Sequence, residues 1–142
     1  VGPLTLVVQD DAIIEMDWGR RVAPDQHPVL KDGIAQLQAY FAGDLTEFDL
    51  PLAPQVSKFQ RDFGAALCAI PYGETRTYGD LAKQLRAPAQ AIGQACGANP
   101  IAILIPCHRV LAANGLGGFS GHGGIESKVA LLKHEGAASL LI

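Results

Sequence analysis

Cys107 and His108 stand side by side in Ile105-Pro106-Cys107-His108-Arg109-Val110, which pairs a nucleophile with a base. A thiol attacks well only as a thiolate, and a neighbouring imidazole is the usual means of reaching that state. Pro106 interrupts the apolar run Ile101-Ala102-Ile103-Leu104-Ile105, which places the thiol on a turn at a strand end. The dipeptide alone leaves two readings open, because a buried cysteine is often an inert small hydrophobe.

The elements that must position this pair fall into two parts. Leu4 to Gln9 and Ala12 to Trp18 read as strands, with Asp10-Asp11 as the hairpin turn. Val29, Leu30, Ile34, Leu37, Tyr40 and Phe41 recur at helical spacing, and Gly43 stops the helix. The proline-punctuated segment from Phe48 to Pro54 is a natural connector between lobes. Beyond it the chain reads as mainly helical. Ser57 caps a helix through Phe59, Phe63, Ala66, Leu67 and Ile70, which Pro71-Tyr72-Gly73 ends.

Thr77 precedes a short helix, Tyr78 to Leu85, with Asp80 near its positive end. Arg86-Ala87-Pro88 makes a tight turn, and a second helix follows from Ala89 to Ala98. Two short helices around so small a turn form a helix-turn-helix. That second helix is almost without bulk: Ala89, Ala91, Gly93, Ala95 and Gly97 line it. Each interior glycine costs about 1 kcal/mol of helix propensity against alanine, so something must approach the backbone closely. A second helix would serve; so would a DNA minor groove, only about 6 Å wide. A glycine-rich loop, residues 115–124, and a last helix from Glu126 to His134 complete the chain.

Composition narrows the function classes. The net charge is −3, yet residues 1–57 carry three basic against nine acidic side chains and residues 58–142 carry eight against five. Only the second part suits a phosphate backbone. No run approaches the roughly 20 apolar residues of a membrane span, and no secretory pattern opens the chain. Three cysteines, Cys68, Cys96 and Cys107, form no CxxC pair. That pattern predicts free thiols in the cytoplasm, with no metal and no cofactor.

Six ordered pieces resemble the O6-alkylguanine-DNA alkyltransferases, the methylated-DNA–protein-cysteine methyltransferases. They are Ile70-Pro71-Tyr72-Gly73-Glu74-Thr75, Thr77-Tyr78-Gly79-Asp80-Leu81-Ala82, Asn99-Pro100, Ile105 to Val110, Gly118-Phe119-Ser120-Gly121, and Leu131-Leu132-Lys133-His134-Glu135-Gly136. The resemblance implies an α+β protein: a small N-terminal lobe over residues 1–54, and over residues 55–142 a mainly helical domain with a winged helix-turn-helix. It implies repair of double-stranded DNA carrying O6-alkylguanine, bound through the minor groove by a monomer with no membrane attachment. The protein would work in a bacterial-type cytoplasm, at the nucleoid during repair.

In that family the alkyl group passes irreversibly to a cysteine, and the matching residue is Cys107. His108 would act as base through a bridging water and Glu135 would orient it, in the manner of a triad. Asn99 would hold the turn before the active site. Tyr78 would help extrude the nucleotide and protonate the departing guanine, with Lys128 near it. Ser120 would meet guanine O6, and the carbonyls of Cys107 and Val110 would face its exocyclic amine. Phe119 and Arg109, in the same motifs, fall on the substrate and DNA side. The target base must leave the stack, at a cost of about a few kcal/mol.

The chain departs from the family in places. Gln90 stands where an arginine wedge usually sits, nine residues before Asn99-Pro100. The turn around Ala87 is shorter than usual, and Gly64 replaces a frequent tryptophan. The loop carrying His122 is longer, with His122 read as facing solvent. Cys96 reads as packing. The N-terminal lobe has no cysteine and only His27, so no zinc site is expected. Two other functions remain: a sensor of alkylated bases without transfer, against which Cys107 itself speaks, and a Cys-His enzyme dealkylating small molecules.

Overall fold

Asp10 and Asp11 both take positive φ, 53° and 63°, the backbone a two-residue hairpin needs to match strand twist. They join β1 (Leu4–Gln9) to β2 (Ala12–Trp18) in an antiparallel pair with an irregularity at Val7/Val8. In this computed structural model the described residues are 3–19, 27–113, 115–117 and 124–137. They divide into two units, one within Gly2–Gln55 and the other within Val56–Ile142.

In the first unit, α1 (Pro28–Phe41) packs its buried Gly33, Leu37 and Tyr40 inward. A Cβ on Gly33 would lie 2.7 Å from a methyl of Leu6, so glycine is what lets helix and hairpin approach. His27 caps α1, its Nδ1 accepting from the Val29 amide at 3.1 Å, while Nε2 meets Asp11 at 2.9 Å. The segment read as a connector is also bonded to the hairpin. Ile13 donates to Pro51 and Ala53 donates to Ile13, both at 2.8 Å, and Gln36 grips the Asp49 backbone from α1. Its prolines stop it from continuing as a ladder, so only one bridge forms, Ile13 to Leu52.

The second unit opens with α2 (Lys58–Cys68), capped by Ser57, which accepts from the Gln60 amide at 3.2 Å. Buried Phe63, Ala66 and Leu67 form its inward face, and buried Ile70 follows its end. Gly64 lies against Ile105, where an added Cβ would make only ordinary contact at 3.7 Å. Then come β3 (Arg76–Thr77), α3 (Tyr78–Leu85) and α4 (Ala89–Gly97). Thr77 and Asp80 cap α3 reciprocally, each accepting from the other's amide at 3.0 and 2.9 Å. Arg86, at φ 54°, ends α3 in the left-handed region and turns the chain into α4. Gln60 reaches from α2 to the Ala95 carbonyl of α4 at 2.7 Å.

The apolar run 101–105 is no strand. It is a tight, buried turn in which Ile103 has φ 72° and Ile105 donates to Ile101 at 2.9 Å. A β-branched residue at positive φ is strained, so this shape needs outside support. The chain then forms a 3-10 turn, Cys107–Arg109, and β4 (Val110–Leu111), which pairs in parallel with β3. Last is α5 (Ile125–His134), with Leu131 and Leu132 buried. Among the described residues no helix is long and apolar enough to cross a membrane.

Candidate active site

Asn99 supplies the support that the strained turn requires. Its Nδ2 donates to the Ile105 carbonyl at 2.8 Å, and its Oδ1 accepts from the Ile101 amide at 3.1 Å. One side chain thus ties both ends of the 101–105 loop. The Cys107 amide donates to the same Ile105 carbonyl at 2.8 Å, which locks the cysteine to the clamp.

Every residue from Ile101 to Leu111 is buried. Burial pushes the Cys107 thiol above its usual range, while the Asn99 amide and the Lys128 charge pull it back. His108 is wholly buried, and burial holds its pKa below the usual imidazole value. Glu135 opposes that depression; Arg109 and Lys128 add to it. Burial thus favours the uncharged forms of both side chains.

Glu135 follows the last turn of α5 and lies 4% exposed. His108 Nε2 lies 2.8 Å from its Oε2. Arg109 grips the same carboxylate, Nε to Oε1 at 2.8 Å and Nη2 to Oε2 at 3.0 Å. Its Nη1 donates to the Ile70 carbonyl at 2.7 Å, and the guanidinium lies 5.9 Å from the Tyr72 ring centre. Among the described residues His108 Nδ1 has no hydrogen-bond partner. A buried ring nitrogen in that state can bond a water or exchange a proton, in a direction set by the tautomer.

Lys128 is buried on α5, donates from Nζ to the Val110 carbonyl at 2.6 Å, and lies 6.0 Å from the Tyr78 ring centre. Burial lowers its pKa, while Cys96 and Cys107 raise it. Tyr78 opens α3 half-buried. It lies so close to Gly117 that a Cβ there would fall 2.9 Å from the phenol oxygen.

The structure thus gathers His108, Arg109 and Glu135 in one cluster, and Lys128 with Val110 and Tyr78 in another, with Cys107 on the turn beside His108 and within the influence of Asn99 and Lys128. Arg109, placed by sequence on the DNA side, is buried in the Glu135 ion pair because that carboxylate needs a balancing charge away from water. The Val110 carbonyl accepts from Lys128, and the Cys107 carbonyl accepts from the Val110 amide. Gln90 is exposed on α4, in line with exposed Gly93, Gln94 and Gly97. Phe119, Ser120 and His122 lie outside the described residues.

Sequence reasoning missed the Gln60 bond to α4 and the approach of Gly117 to Tyr78, since neither position carries a motif of its own. Burial pushes the Cys96 thiol up to about 12, and Cys107 pushes it in the same direction. Among the described residues no cluster of histidine, cysteine and acidic side chains could hold a metal.

The comparisons with known proteins agree along the whole chain. Residues 58–137 match the 6-O-methylguanine DNA methyltransferase, DNA binding domain, and residues 1–54 match the ribonuclease-like domain of the same proteins. The methylated-DNA–protein-cysteine methyltransferase of Methanosarcina acetivorans is 50% identical, over 96% of this chain and 94% of that protein. Its namesake from Mycobacterium tuberculosis is 54% identical, over 95% of this chain and 87% of that one. The crystal structure of Mycobacterium tuberculosis OGT in complex with DNA superposes with a TM-score of 0.82 at 43% identity, covering 94% of this chain and 87% of that one. A relative 50% identical over nearly its full length, together with both domain matches, places this chain in the methylated-DNA–protein-cysteine methyltransferase family, DNA-repair proteins that move an alkyl group to a cysteine of their own.

Proposed function

We propose that Cys107 is the acceptor and that the substrate is O6-alkylguanine in duplex DNA, entered from the minor groove by a monomer. The observation that carries the reading is the buried His108–Glu135 contact at 2.8 Å, which leaves Nδ1 of the residue beside Cys107 without a partner among the described residues. The thiol proton passes to that nitrogen, directly or through one water. The sulfur pair then attacks the alkyl carbon, forming S–C as C–O6 breaks. Tyr78 gives its phenol proton to the departing guanine, which spares a purine anion. Lys128 stabilises both the nascent thiolate and the phenolate left on Tyr78.

A thioether has no route back to a thiol here, so each molecule reacts once. The bare face of α4 supports the groove contact. Among the described residues an added Cβ at Gly93 or Gly97 meets nothing within 4 Å, which leaves room at this face for a groove wall. Three free thiols and a DNA substrate suit a cytoplasmic setting.

Incubation with an O6-methylguanine duplex, followed by intact-mass measurement, tests the reading. A mass gain of one methyl is expected. Tight lesion binding with no mass gain would overturn it and leave a sensor of alkylated bases.

A further inference from the structure

Glu135 is shared between two basic side chains, and this sharing decides what His108 can do. A histidine and a carboxylate buried alone together readily retain an extra proton, as an imidazolium ion pair or as a carboxylic acid on a neutral ring. Here a third group joins them. Arg109 spends two N–H donors on Glu135 and the third on Ile70, and its side chain is almost sealed from water.

We propose that Arg109 is a positioning residue for the proton relay: its grip on both oxygens of Glu135 fixes His108 as the uncharged Nε2–H tautomer and so leaves the receiving lone pair on Nδ1. The inference rests on the reading of Cys107 as acceptor given above. With Arg109 in place, the His108–Glu135–Arg109 cluster is neutral only when His108 carries no charge. A carboxylate bonded twice by a guanidinium is an acceptor at both oxygens, so the imidazole must donate through Nε2.

The charged groups that face His108 are Glu135 at the end of α5, Lys128 within α5 and Arg109 on its own turn. Arg109 and Lys128 disfavour the imidazolium, and only Glu135 favours it. Removing the Arg109 charge therefore lets the His108–Glu135 pair hold a proton to higher pH. The relay would then be filled before the thiol could use it. A purely structural arginine would alter stability and leave this protonation unchanged.

Imidazole nitrogen NMR on the wild-type protein reads the tautomer directly. The Nε2–H form, uncharged at about neutral pH, is expected. An imidazolium or an Nδ1–H tautomer under those conditions would overturn the proposal. In Arg109→Met the pair should take up its proton about one pH unit or more higher, and the acidic limb of single-turnover methyl transfer should move with it. An unmoved limb in folded Arg109→Met contradicts the proposal. Arg109→Lys keeps the charge and should keep the limb of wild type, with a slower plateau; a limb displaced upward would count against the argument. If Arg109→Met does not fold, the wild-type tautomer and the lysine variant decide. Failure of wild type to transfer methyl would strike the acceptor reading instead, and the NMR result would still stand by itself.

Discussion

Lys128 Nζ donates to the Val110 carbonyl at 2.6 Å from a fully buried side chain on α5. The contact fixes an ammonium beside the turn that carries Cys107, and the Lys128 charge pulls the Cys107 thiol down against its burial. Lys128→Met removes that charge and a charge-assisted bond worth about 1.5–3 kcal/mol. Methyl transfer should slow roughly tenfold or more in single-turnover kinetics, with the folded state checked by circular dichroism. A wild-type rate in the folded variant would remove Lys128 from the chemistry.

Asn99→Ala tests the clamp. The substitution leaves the Ile101 amide and one lone pair of Ile105 without their partner, inside a loop that holds Ile103 at φ 72°. A loss of about 1–3 kcal/mol in chemical denaturation is expected, together with slower transfer. Asn99→Asp keeps the acceptor for Ile101 and loses the donor to Ile105, so it should also be impaired. Wild-type stability in Asn99→Ala would show that the loop holds itself.

Stability should fall on the acid side because of His108. Its folded pKa is depressed by burial, so the unfolded chain binds the proton more readily. The stabilisation is complete above the unfolded value, about pH 6.5, and is lost as pH falls below it toward the folded value. Thermal melts across this range should show the decline, and His108→Gln should flatten it. An equally steep decline in folded His108→Gln would assign the acid sensitivity to other groups.

Gln90→Arg should strengthen duplex binding. Gln90 is exposed on the bare face of α4, so a cation there has open space and adds roughly one phosphate contact. The salt dependence of duplex affinity should steepen by about 0.9 in log–log slope. Repair of duplex substrate should accelerate more than reaction with the free modified base. Equal acceleration of both would place Gln90 away from the DNA.

Most elements were legible because their signals are local. The two strands, the helix capped by Ser57 and the helix capped by Thr77 all follow from periodicity and capping chemistry that neighbouring residues carry. The run 101–105 misled because its apolar β-branched pattern describes burial as well as a strand. Asn99, a residue outside the run, decided the outcome. The bonds of the connector to Ile13 were not legible for a related reason: extended proline-rich chain looks the same whether free or bonded. In the site, the His108–Glu135 contact was expected only through family resemblance, since 27 residues separate the partners. The part of Arg109 was hidden because a basic residue beside a nucleophile resembles a DNA contact until its burial is seen.

The most direct measurement is site-mapped stoichiometry with O6-methylguanine duplex in excess over protein. Peptide mass mapping should show one methyl per chain, on Cys107, with Cys68 and Cys96 unmodified and no further product after that plateau. Methyl on Cys96 or Cys68 in place of Cys107, or repaired guanine exceeding the number of protein chains, would contradict an irreversible transfer to Cys107.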